Sequence, residues 1–156
     1  FGAPERDPRL RVVSVAYYAL VDHARLARAL AARPELALAA LDVPWSGVEG
    51  GEVRALAADG HELALAFDHA RILGLVVQRL RGKLDYAALG FQHLPRTFTL
   101  RALQTVHEVV LGHALNKDSF RRRMLATGLI EPTGERERDV LHRPAELYRI
   151  RSASAV

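Results

Sequence analysis

The residues best placed to do chemistry in this chain form a short cationic run, Lys117-Asp118-Ser119-Phe120-Arg121-Arg122-Arg123-Met124. Spaced at about 100° per residue on a helix, Phe120, Met124 and Leu125 fall on one side and Ser119, Arg122, Arg123 and Ala126 on the other. A short basic face of this kind suits the major groove of duplex DNA. Guanidinium forks pair with guanine edges or with phosphates, Ser119 reaches a phosphate, and Lys117 supports them with charge. The amides at the helix N-terminus are also expected to meet a backbone phosphate. The plain alternative is a solvated surface helix. Downstream, the segment TGERERDVLHRP holds Arg136, Arg138 and Arg143. Arg136 and Arg143 are expected to track the DNA backbone or minor groove from a hairpin wing. Glu135, Glu137 and Asp139 weigh against that and leave a charge-balanced solvent loop equally open. At the start of the chain, Arg6, Arg9 and Arg11 surround one loop and could hold a pyrophosphate through charge-assisted hydrogen bonds. Asp7 could equally pair with one of them and pin the loop.

Other chemistry has little to stand on. There are no cysteines, so disulfides, thiolate metal sites and cysteine nucleophiles are all excluded for this chain. His107-Glu108 resembles the start of an HExxH zinc motif, but Leu111 stands where the second histidine belongs, and His107 is expected to be an ordinary helix-face residue. No phosphate-binding glycine loop and no nucleophile elbow is present. Neither a catalytic group nor a metal ligand is assigned. Trp45 is expected to fill core rather than stack on a base.

The elements that must carry these residues follow from periodicity and punctuation. Arg11 to Val21 has strand composition and is apolar on both faces, which predicts a central, doubly covered strand. Asp22 to Ala32 reads as helix, ended by Pro34. Leu36 to Val43 and Glu52 to Ala57 read as strands, with a turn at Asp59-Gly60. Asp68 is a predicted N-cap for a helix running to about Leu84, with Ile72, Val76 and Leu80 on its stripe. A second helix is predicted from Thr99 to a stop at Gly112. A third runs from about Lys117 to Thr127, capped by Asn116 or Asp118 and closed by Gly128. Leu129 to Pro132, a polar loop from Thr133 to Pro144, and a strand from Ala145 to Ile150 complete the pattern. Helices followed by two strands around a charged loop give the order of a winged helix.

Charge divides the chain in the same place. Residues 1–66 carry 7 Lys+Arg against 9 Asp+Glu, whereas residues 67–156 carry 15 against 9. A basic second half points to a polyanionic partner, with an unpartnered basic surface as the alternative. The hydrophobic fraction of 49% is that of an ordinary globular protein, no segment is predicted to cross a membrane or act as a leader, and the lack of cysteine fits a reducing cytoplasm.

Several segments, taken in order, resemble a known family. FGAPERDPRLRVVSVAYYALV is similar to the stretch that follows the Nudix box in Nudix proteins of the ADP-ribose group. LALAFDHARIL, QRLRGKLDY, LPRTFTLRALQTVHEVVLG, LNKDSFRRRMLATGLIEPTGE and HRPAELYRI resemble the C-terminal region of NrtR-type Nudix-related regulators. The resemblance implies an α+β chain: a truncated part of a Nudix α/β/α domain, strands only, over residues 1–66, a winged helix-turn-helix domain over 67–151 and a tail at 152–156. It implies a dimeric repressor that senses ADP-ribose or a related nucleotide or sugar metabolite and binds double-stranded operator DNA through Lys117–Thr127.

The glutamate-rich core of the Nudix box is not in these residues, and Glu135-Arg136-Glu137-Arg138 does not match it. No nucleoside diphosphate hydrolysis is therefore expected of this chain. Phe1 in place of an initiator methionine suggests a fragment whose front end lies upstream; a trimmed or processed chain is the alternative. The competing functional reading is a Nudix pyrophosphatase, using Mg2+ held by an upstream box, whose added winged helix serves dimerisation. A protein-binding winged helix is a third.

Overall fold

The computed structural model describes residues 13, 15–84, 91, 94–138, 141 and 143–151. The chain divides into two compact units, residues 1–79 and 80–156.

In the first unit, α1 (His23–Ala32) forms where Asp22 can accept a hydrogen bond from the Arg25 amide at 2.8 Å, so that a first-turn donor is satisfied by the N-cap carboxylate. No residue of α1 is buried. This unit is therefore not strands alone, in line with the local helix pattern after Asp22. Three short strands, β1 (Ala40–Asp42), β2 (Arg54–Leu56) and β3 (Glu62–Leu63), make an antiparallel sheet in that order. Asp42 and Arg54 are register partners, and their side chains pair across the ladder. The β2–β3 hairpin turns where expected, with the Asp59 carboxylate accepting from the His61 amide.

Helix α2 (His69–Lys83) follows Asp68, whose backbone carbonyl accepts from Ile72. Its early turns pack against the loop before β2. A Cβ built on Gly74 would stand 1.7 Å from the Gly51 carbonyl oxygen, so no side chain fits there. Gln78 donates from Nε2 to the Val48 carbonyl at 2.8 Å, tying the helix to the same loop.

The expected central strand at Arg11–Val21 is not found among the described residues. Val13 and Val15–Val21 are in no strand, and Tyr17 is 92% exposed. Strand composition alone leaves backbone donors and acceptors unpaired, and no described strand pairs with this segment. Leu36–Ala39 likewise lies outside β1.

The second unit begins in the last turn of α2 and continues with β4 (Phe98–Thr99), α3 (Leu100–Leu111), α4 (Lys117–Ala126), β5 (Ile130–Arg136) and β6 (Glu146–Ile150). The sheet order is β4-β6-β5, antiparallel throughout. Its core gathers Phe91, from the turn before β4, with Phe98, Leu103, Phe120, Met124, Ile130 and Tyr148, one or two from each of β4, α3, α4, β5 and β6. Strand β5 runs on through Gly134 to Arg136, into residues expected to be loop. Pro132 is tolerated because β5 is an edge strand, and the pairing slips between Pro132 and Arg136.

Candidate nucleic-acid interface

The candidate site is α4 with the elements that aim it. Thr99 caps α3 by accepting from the Ala102 amide at 3.1 Å. At the other end, Gly112 takes a left-handed conformation, φ 78°, and returns its amide to the Glu108 carbonyl at 2.8 Å. A residue with a Cβ is strained in that conformation, and glycine is not. The chain then re-enters helix within a few residues, because Asn116 accepts from the amides of Asp118 and Ser119 at 3.1 and 3.0 Å. Of the two residues considered as the cap, Asn116 holds the position. Asp118 sits inside the first turn, where its charge suits the positive end of the helix.

The turn between α3 and α4 has its own fastening. Glu108 accepts at one carboxylate oxygen from the Leu115 amide and from the Gln104 side chain, both at 2.9 Å. Gln104, which is buried, also donates to the Leu115 carbonyl at 2.8 Å. The Leu115 and Gln104 donors hold the Glu108 carboxyl below its ordinary value, since they favour the charged form. Arg81, buried in the last turn of α2, donates from Nε to the Val110 carbonyl at 3.0 Å and so steadies the end of α3. Burial pulls its pKa down. Gln104, Glu108 and Arg81 stand in no motif of the sequence; the four-residue spacing of Gln104 and Glu108 is the one sequence signal of this contact.

Phe120 and Met124 are buried, as expected, at 3% and 2% exposure. Leu125, expected beside them, is 39% exposed: it lies too far round α4 to reach the core that Phe120 and Met124 fill. His107 is not a surface residue of its helix but fully buried. Its Nδ1 lies 2.9 Å from the Leu103 carbonyl and its ring meets Phe120 edge-on at 5.0 Å between centroids. A packed aromatic contact thus joins α3 to α4.

Lys117, Ser119, Arg122 and Arg123 are all exposed on α4. The three arginines diverge. Arg121 leans to Glu146 on β6 at 4.0 Å, Arg123 lies 5.7 Å over the Phe120 ring, and Arg122 makes no ion pair or hydrogen bond within the chain among the described residues. The helix N-terminus is less open than expected, since Asn116 already occupies two of its amides. In the wing, Arg136 donates weakly to the Pro144 carbonyl at 3.4 Å, and Arg143 is exposed on the same connection. The carboxylate of Glu137 binds the Ala145 amide and closes the wing from the inside. Arg6, Arg9 and Arg11 lie outside the described residues. Trp45 is half-buried, its indole Nε1 donating to the Glu52 carbonyl at 3.3 Å.

Among the described residues, no three His, Asp or Glu side chains gather as a metal-ligand set. No helix among them is long and apolar enough to cross a membrane.

Two capped helices joined by a tight turn, packed on a three-stranded sheet whose last hairpin projects as a wing, define a winged helix-turn-helix domain. Residues 90–150 match the NrtR DNA-binding winged helix domain. The resemblance expected from the sequence segments is matched by similar proteins aligned over nearly the whole chain. An ADPR responsive transcriptional repressor, NtrR, from Acinetobacter baylyi is 36% identical over 95% of this chain. The chain spans about half of that relative, 52% of its length. The crystal structure of Shewanella oneidensis NrtR complexed with a 27mer DNA superposes with a TM-score of 0.64 at 32% identity, over 97% of this chain and 61% of the other. A MutT/nudix family protein from Enterococcus faecalis, at 23% identity and a TM-score of 0.58 over 97% of this chain and 59% of its own, shares the fold.

Proposed function

We propose that this chain serves in a ligand-responsive transcriptional regulator, with α4 docking in the major groove of duplex DNA. The observation that carries the reading is the outward face of α4. A helix capped by Asn116 and anchored by Phe120 and Met124 presents Arg122 with no partner of its own among the described residues, beside Ser119 and Arg123. Arg122 is the proposed base-reading fork, Arg123 and Ser119 flank it, and Lys117 supports by charge. Arg136 and Arg143 follow the duplex backbone from the wing.

The effector is proposed to be ADP-ribose or a related metabolite, in keeping with what the Acinetobacter relative is named for. On charge grounds, Arg6, Arg9 and Arg11 are proposed to hold its pyrophosphate. A two-fold dimer on a palindromic operator, in the cytoplasm, completes the reading.

Selection from a pool of random duplexes tests it. The full chain is expected to enrich sequences with two related half-sites, and ADP-ribose is expected to change its affinity for the enriched duplex. No enrichment over background contradicts the DNA reading; enrichment indifferent to ADP-ribose contradicts the effector reading.

A further inference from the structure

Between the start of α3 and the start of α4 lies a small cleft of about 60 Å³, lined by Leu100, Arg101, Gln104, Lys117, Phe120 and Arg121. Leu100 and Phe120 supply its apolar floor, Gln104 adds an amide, and three cations complete the rim. Arg101 and Arg121 make long ion pairs within the chain, and Arg121 also faces the Tyr148 hydroxyl. Arg101 reaches Glu108 at 3.7 Å and Arg121 reaches Glu146 at 4.0 Å, each at the outer limit of an ion pair, with 70% and 51% of the side chains exposed. Those long contacts orient the two guanidinium groups and leave most of their five N–H donors available. Lys117 makes no ion pair or hydrogen bond among the described residues. On α4, Lys117 and Arg121 stand one turn apart, on the flank of the helix away from Ser119 and Arg123.

We propose that Arg101, Lys117 and Arg121 form a seat for one backbone phosphate of duplex DNA, separate from the face that reads bases. The first helix of a helix-turn-helix crosses the sugar–phosphate backbone while the second lies in the groove, so a cationic cleft shared by both helices meets a strand as it leaves the groove. The apolar floor suits the carbon face of a deoxyribose, and the rim suits its phosphate. The seat fixes where α4 sits along the duplex and is blind to sequence. Arg121 thus meets the backbone, while Arg122 meets the bases.

This inference rests on the DNA-binding reading, and its test separates the two. Affinity of the full chain for two duplexes of unrelated sequence is measured by fluorescence anisotropy across a range of salt concentrations. For Arg101→Ala and Arg121→Ala, the log–log salt slope is expected to fall by about 0.9 each, as for one lost phosphate contact, with equal weakening on both duplexes. Arg28→Ala, which removes an exposed cation from α1, controls for net charge and is expected to leave the slope unchanged. Arg121→Lys keeps the charge and is expected to retain most of the slope. If the unaltered chain binds with a steep slope and Arg101→Ala and Arg121→Ala bind like Arg28→Ala, the phosphate seat is wrong and the DNA reading stands. A change confined to one duplex also overturns the seat, because it marks base contact. If the unaltered chain shows no salt-dependent affinity, the DNA reading itself fails.

Discussion

Arg121, Arg122 and Arg123 are identical in the sequence and different in the fold, because one residue of helix turns each side chain by about 100°. Only Arg122 is left for the floor of the groove; its neighbours lean against Glu146 and Phe120. Arg122→Ala is therefore expected to cost about 1–3 kcal/mol on a selected duplex and to relax preference at one base position. Competition binding against single-base variants of that duplex reads both effects. Asn116 governs the helix that carries Arg122. Asn116→Ala is expected to cost about 1 kcal/mol of stability, and Asn116→Asp much less, as measured by urea unfolding. The basic face and the two buried anchors, Phe120 and Met124, were legible in the sequence from spacing alone. The exposure of Leu125 and the burial of His107 were not, because both depend on where α3 lies against α4, which no periodicity encodes.

Helices announced themselves more clearly than strands. Asp22, Thr99 and Asn116 each stand one residue before a helix and accept from its first turn; the cap rule pointed to Asn116 in the sequence, while periodicity and punctuation placed the other two helices. The strands of the first unit are only two or three residues long, and their partners lie elsewhere in the chain, so composition overreached at Arg11–Val21 and at Leu36. The α3–α4 turn responds to pH. The Glu108 carboxyl is held below its ordinary value of 4.5 by the Leu115 amide and Gln104, so its contribution is complete above that value and is lost as pH falls through the lowered one. The unaltered chain is thus expected to lose stability on acidification below the usual carboxylate range. Glu108→Gln is expected to lack that part of the loss, as thermal melts at stepped pH would read. Helix α1, with no buried residue, is expected to exchange its amide hydrogens well before α3, whose Leu103 and His107 are fully buried. Exchange mass spectrometry on peptides from the two helices checks this.

At the scale of the whole chain, the charge boundary near residue 67 and the break between compact units at residues 79 and 80 fall within a dozen residues of each other. The cations thus belong mostly to the unit whose fold is a winged helix, which is the arrangement a polyanionic partner requires. The first unit exposes Val13, Val15, Tyr17, Leu36 and Leu38, and the apolar residues it buries among those described are Val53, Ala55 and Val77. Its sequence therefore carried a family resemblance further than it carried a foldable pattern of its own. The central claim is that α4 enters a duplex groove. The most direct measurement is an amide NMR titration of the full chain with a selected duplex. Shifts are expected to concentrate in Lys117–Ala126, the start of α3 and the wing. Duplex binding that leaves the α4 amides unmoved while shifting residues elsewhere would contradict it.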